Sequence, residues 1–126
     1  MNITILTGRL TRDPETRHTS NGNAYSTFTL AVPRDYNKEE CDFLDIVAWN
    51  KKAEIVQKYL GKGDKIGIKG KTQKRSYENK DGNKVYITEV IAENIEFIET
   101  KKAKNNNNQE EETINFEELA EEMQFD

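Results

Sequence analysis

The sequence predicts an all-β fold: a five-stranded Greek-key barrel with one helix, followed by a disordered acidic C-terminal tail. Three observations lead there. The first 100 residues alternate apolar and polar side chains in strand-length runs, turn clusters separate those runs, and only one stretch carries helical spacing. From Lys101 onward the chain becomes polar and of low complexity, with nothing to pack.

The first strand is Ile3-Thr4-Ile5-Leu6-Thr7, stopped by Gly8 and Asp13-Pro14. Ser20-Asn21-Gly22-Asn23 is a turn, and residues 24–32 form the second strand. There Phe28, Leu30 and Val32 share one face and Thr27, Thr29 and Ala31 the other, until Pro33 ends the run. In the third strand, residues 42–49, Leu44, Ile46 and Ala48 point one way while Phe43, Asp45, Val47 and Trp49 point the other. Asn50 then caps a helix with Ala53, Val56, Tyr59 and Leu60 on its apolar side, and Gly61 and Gly63 supply the stop. Residues 65–77 alternate again, with Ile66 and Ile68 inward and Gly67, Lys69, Lys71, Gln73, Arg75 and Tyr77 outward. Residues 79–83 make an Asp-Gly turn into a strand over 84–91, and an apolar stretch at 95–98 closes the domain. Three strands, a helix and two or three more strands, without βαβ alternation, match the order and length of an OB-fold barrel.

Composition sets the boundaries of function. The 126 residues hold one cysteine, Cys41, and one histidine, His18, which excludes an internal disulfide and leaves too few soft ligands for a closed zinc site. Neither a metal nor a cofactor is expected. The absence of a long apolar run or a leader-like start points to a cytoplasmic protein with no membrane partner. The net charge of −4 argues at first against a nucleic-acid partner. Its distribution reverses that reading. Residues 1–104 hold all 19 basic residues and 15 acids, a net +4, whereas residues 105–126 hold 8 acids and no base. These are the two predicted domains, a barrel over 1–104 and a linker with a tail over 105–126.

The outward faces carry the chemistry. Lys69, Lys71, Arg75 and Tyr77 share one pleated face, and Phe43 and Trp49 share a face distinct from the one that fills the barrel. Exposed aromatics beside cations suit stacking on unpaired bases, with Lys and Arg on the phosphates between them. A duplex, whose bases already stack on each other, offers them nothing. Each element alone has an ordinary alternative: aromatics also mark subunit interfaces, and a charge run is commonly a solvated face.

Gly70-Lys71-Thr72 is similar to the end of a phosphate-binding loop, but that motif needs Gly at position 65, where this chain has Lys65, and a helix to follow. His18 has no nucleophile in a recognisable setting near it in sequence. No enzyme is predicted.

Several motifs taken together carry a family resemblance. They are 6–15 (LTGRLTRDPE), 28–32 (FTLAV), 45–51 (DIVAWNK) with Ala53-Glu54, 59–63 (YLGKG), and 74–77 (KRSY) followed by Thr88-Glu89-Val90. Together they resemble the bacterial, or phage-encoded, single-stranded DNA-binding protein family over residues 1–99. The resemblance implies an OB-fold homotetramer that wraps single-stranded DNA without sequence specificity in replication, recombination and repair, associated with the nucleoid. By position it implies stacking by Tyr36, Phe43, Trp49 and Tyr77, of which Tyr36 comes from the resemblance alone. Backbone contacts fall on Lys51, Lys62 and Arg75, with Arg9, Arg34, Lys69 and Lys71 added on position and charge.

The resemblance also implies an acidic tail that recruits replication and repair proteins. Here the chain ends Glu121-Glu122-Met123-Gln124-Phe125-Asp126, without the proline and terminal phenylalanine usual in such tails. The candidate partner-binding residues are Phe116, Leu119, Met123, Phe125 and Asp126. Ile114, Phe116, Leu119, Ala120 and Met123 have the spacing of an acidic amphipathic helix that could form in a partner's groove, and a disordered tail with incidental apolar residues fits equally. The rival reading of the whole chain is an OB-fold adaptor whose outward aromatics bind protein and not DNA.

Overall fold

The computed structural model describes residues 1–100. In chain order the elements are β1 (Thr4–Leu10), β2 (Glu15–His18), β3 (Ala24–Arg34), β4 (Asn37–Trp49), α1 (Lys51–Tyr59), β5 (Lys65–Glu78) and β6 (Lys84–Glu99). The strands run side by side as β1-β5-β6-β4-β3-β2, and β1 also pairs with β3 through Arg9–Ala31 and Leu10–Leu30. That last pairing closes β1, β3, β4, β5 and β6 into the predicted five-stranded barrel. Its one parallel contact joins β4 to β6, Ile46 beside Val90 and Val47 beside Ile91.

The inward faces are those the alternation indicates. Phe28, Leu30, Ile46, Ala48, Ile66 and Ile68 are buried together with Leu10, Val90, Ala92 and Ile95, and α1 adds Ile55 and Val56 to the same core. Burying each such side chain contributes roughly 1.5 to 3 kcal/mol. Gly8 and Gly70 permit close approaches that a side chain would forbid. A Cβ at Gly8 would stand 2.3 Å from the Ala31 carbonyl oxygen, and one at Gly70 would stand 2.0 Å from that of Ile91.

Four local expectations need correction. The short β2, paired antiparallel with β3, lies in a segment read only as stops and turns; Glu-Thr-Arg-His offers no apolar alternation, and the ladder to β3 makes the strand. Pro33 does not end β3, because it sits exposed at a register shift next to the hairpin turn, where a missing N–H disturbs little. Asn50 makes no side-chain cap. It lies at φ 53°, its N–H donates to the Ala24 carbonyl (2.7 Å), and its own carbonyl accepts from Glu54 N–H (3.1 Å). Finally, residues 84–91 and 95–98 belong to one bent strand, β6, whose register against β5 shifts at Lys69/Gly70 and again at Lys65/Ile66.

Beyond Thr72, whose backbone is bonded to the Asn2 side chain, the β5–β6 ladder leaves the barrel as a two-stranded arm. Every β5 residue from Lys71 to Glu78 is exposed. The arm's turn is held by Asn79, whose Oδ1 accepts from Asp81 and Asn83 N–H (3.0 Å each), with Gly82 in the left-handed region at φ 79°.

Candidate nucleic-acid interface

One continuous outer surface runs across β3, β4, β6 and the base of the arm. Tyr25 faces Trp49 and Thr27 faces Val47 across β3–β4; Val47 adjoins Ile91; and Lys71, Gln73 and Arg75 oppose Ile91, Glu89 and Ile87 across β5–β6. Residues paired across strands share a face, so the pleat carries this row from an aromatic end to a cationic one. The surface is concave. Trp49 and Tyr25 on one side and Lys71, Gln73 and Arg75 on the other line an open cleft of about 530 Å³, with Val47, Ile91 and Glu89 below.

Sequence periodicity does not single out Tyr25, yet its ring lies 5.2 Å from that of Trp49 at an interplanar angle of 38°. Its signal was present. Tyr25 has the parity of Thr27 and Thr29, the outward face of that strand. Val47 shows the opposite deviation, pointing outward as expected but only 4% exposed on the cleft floor.

The predicted residues divide into groups. Trp49, Lys71 and Arg75 meet in the cleft, and Tyr77 lies farther out on the same face of the arm, 47% exposed. Phe43 shares the outer face with Trp49, six residues back along β4, and is 68% exposed. At roughly 3.3 Å per residue the two rings stand on the order of 20 Å apart, a span of several nucleotides. Tyr36 occupies the β3–β4 turn, 78% exposed. Lys51 opens α1 and Lys62 follows its end; both are exposed, the latter with its backbone N–H on Asp13 Oδ1 (2.8 Å). Lys69 is also exposed, but it stands beside Ile5 on the β1–β5 side and does not line the cleft. Phe116, Leu119, Met123, Phe125 and Asp126 lie outside the described residues.

Arg9 and Arg34 border a second open cleft, of about 440 Å³, with Lys38, Lys65 and Cys41. Both arginines are already engaged. Arg9 donates to the Gly63 carbonyl (2.9 Å) and to Glu99 (2.7 Å). Arg34 donates to Asp42 (2.9 Å), Glu40 (3.1 Å) and the Tyr36 hydroxyl (2.8 Å). Its hydrogen bond to Asp42 holds that carboxyl below the usual aspartate range, and the same bond raises the guanidinium. Carboxylates thus partly neutralise the cations of this second cleft.

Among the described residues no group of His, Cys, Asp and Glu is arranged to hold a metal ion, and no helix is long and apolar enough to cross a membrane. The arrangement in the first cleft suits a flexible polyanion carrying flat, unpaired rings.

Residues 1–98 match the model of the single-strand binding protein family. The chain is 49% identical over 110 residues to single-stranded DNA-binding protein 1 of Staphylococcus aureus strain MSSA476, covering 84% of this chain and 70% of that one. It is 48% identical over 113 residues to single-stranded DNA-binding protein 2 of strain COL, covering 86% and 79%. Against single-stranded DNA-binding protein 3 of Listeria innocua it is 46% identical over 120 residues, covering 88% and 75%.

Proposed function

The chain belongs to the single-strand binding protein family, and from that premise we propose that it grips DNA through the cleft between Trp49 and Arg75. It binds single-stranded DNA. The observation that carries the site is the meeting of two stacked-distance aromatic rings with Lys71 and Arg75 in one open groove. Trp49 and Tyr25 offer faces to bases, the cations neutralise phosphates and release counterions, and no step requires a reacting group. The protein acts as a non-catalytic, sequence-independent binder, with Phe43, Tyr36 and Tyr77 extending the path along the outer surface and Lys51 and Lys62 meeting the backbone near α1.

The same reading includes a homotetramer in the cytoplasm, working on DNA in replication, recombination and repair, with partners recruited by the tail. Exposed Ile3, Ile5 and Ile98, at 55%, 72% and 47%, support a subunit contact on the side of the barrel that carries β1. Sedimentation at micromolar concentration should then give four times the chain mass of 14.6 kDa.

The cleft is tested by titrating the protein with oligo(dT), and in parallel with a duplex, while following Trp49 fluorescence. Quenching by the single strand alone is expected. Trp49→Ala should cost about 1 to 3 kcal/mol of binding with the fold intact. Normal binding by that variant would assign Trp49 to packing or an interface.

A further inference from the structure

Arg75 is held by one edge only. Its Nε donates to Glu89 Oε1 at 2.9 Å, while Nη1 and Nη2 have no hydrogen-bond partner among the described residues. This differs from Arg9 and Arg34, whose terminal nitrogens are bound to carboxylates, a carbonyl or a hydroxyl. The anchor is also buried unequally. The Glu89 side chain is 8% exposed on the cleft floor, and that of Arg75 is 50% exposed above it. No buried side-chain nitrogen or oxygen among the described residues lacks a partner, so Glu89 Oε2, which makes no hydrogen bond there, opens onto the cleft.

A carboxylate in a groove for a polyanion is at first sight a fault. Charge alone says that it repels phosphate and that binding would improve without it. Geometry says otherwise. A half-exposed arginine without such an anchor samples many rotamers, and ordering it on contact with DNA costs affinity.

We propose that Glu89 is a positioning residue for phosphate recognition. It fixes the guanidinium by its Nε edge and leaves the Nη1 and Nη2 fork directed at a phosphodiester oxygen of the strand in the cleft. The proposal rests on the reading of that cleft as the DNA site. Fork-to-phosphate pairing is bidentate and charge-assisted, so what Glu89 adds by orientation outweighs what it subtracts by repulsion.

The two accounts differ in sign. Oligo(dT) affinity is measured by Trp49 fluorescence over a range of salt for the intact protein and for Arg75→Ala, Arg75→Lys, Glu89→Gln, Glu89→Ala and the Arg75→Ala/Glu89→Ala pair. Glu89→Ala should weaken binding about tenfold, as Arg75→Ala does, and lower the slope of log K against log salt by about one. The double variant should bind no more weakly than Arg75→Ala alone, and Glu89→Gln, which keeps an acceptor oxygen, should restore most of the affinity. In the unbound protein, the Arg75 Nε–H NMR signal should exchange slowly with water and lose that protection in Glu89→Ala while the backbone spectrum persists. Tighter binding by Glu89→Ala, with a steeper salt slope, would overturn the proposal. If Glu89→Ala does not fold, Arg75→Lys decides, since it keeps the charge without the fork: weakened binding supports the proposal and unchanged binding overturns it. An Arg75→Ala protein with unaltered affinity would also overturn it, while a loss in Trp49→Ala would leave the cleft standing as the DNA site. Failure of the intact protein to bind oligo(dT) would remove both.

Discussion

Trp49 and Asp42 occupy one strand on opposite pleated faces, and a sequence reveals them unequally. Trp49 is conspicuous because alternation along β4 puts a large ring opposite the Leu44, Ile46 and Ala48 face. Tyr25 completes its site only through the β3–β4 register, a pairing between distant parts of the chain that local periodicity does not encode. Arg34 shows the converse: its charge suggested a phosphate contact, but folding the hairpin brings Asp42 and Glu40 onto it. That pairing has a pH signature. Because Arg34 holds the Asp42 carboxyl below its ordinary value of 3.8, the pair stabilises the fold fully above that value and loses its contribution as pH falls through the lower, folded one. Asp42→Asn should therefore lose less stability than the parent protein across that acid window, as read by urea denaturation at stepped pH. The pair is solvent-exposed, so the difference is expected to be small.

At the scale of elements, strands with one buried face were legible and strands made by pairing were not. β3, β4 and β5 carry Phe28, Ile46 and Ile66 at period two, which a barrel interior demands. β2 has no apolar face to show, and α1 starts after an Asn50 that serves through its backbone, not its side chain. The join between barrel and arm is the most constrained of these features. Gly70 lies against the Ile91 carbonyl at the place where β6 changes register, so Gly70→Ala should cost on the order of 2 to 3 kcal/mol by forcing β5 and β6 apart. Ser76→Ala, on the exposed arm, should stay within about 0.5 kcal/mol. Chemical denaturation of the two variants side by side checks both values; equal stabilities would mean that the bend relaxes at no cost.

For the molecule as a whole, the division of charge is the property most plainly written in the sequence. A +4 body and a −8 tail sum to an acidic protein that can still hold phosphates. An acidic segment tethered to a cationic groove competes with DNA for it at an effective concentration set by the linker. A chain ending at Lys104 should accordingly bind oligo(dT) more tightly than the full chain in low salt, with the gap closing as salt is added. Equal affinities in low salt would rule out that competition.

The arm has a dynamic consequence. Beyond Thr72 it projects as a ribbon held by its ladder and the Asn79 turn, so it can breathe while the barrel remains shut. Amides of β5 beyond Thr72 should exchange with deuterium well before those of β1 or β3, and within residues 1–100 the turn around Gly82 should be the first site cut by a protease. A strand lying across Arg75 and Tyr77 would clamp that ribbon. DNA should then register most strongly as slowed exchange in the arm, so that the stretch of β5 and β6 lying outside the barrel reports most directly on the ligand.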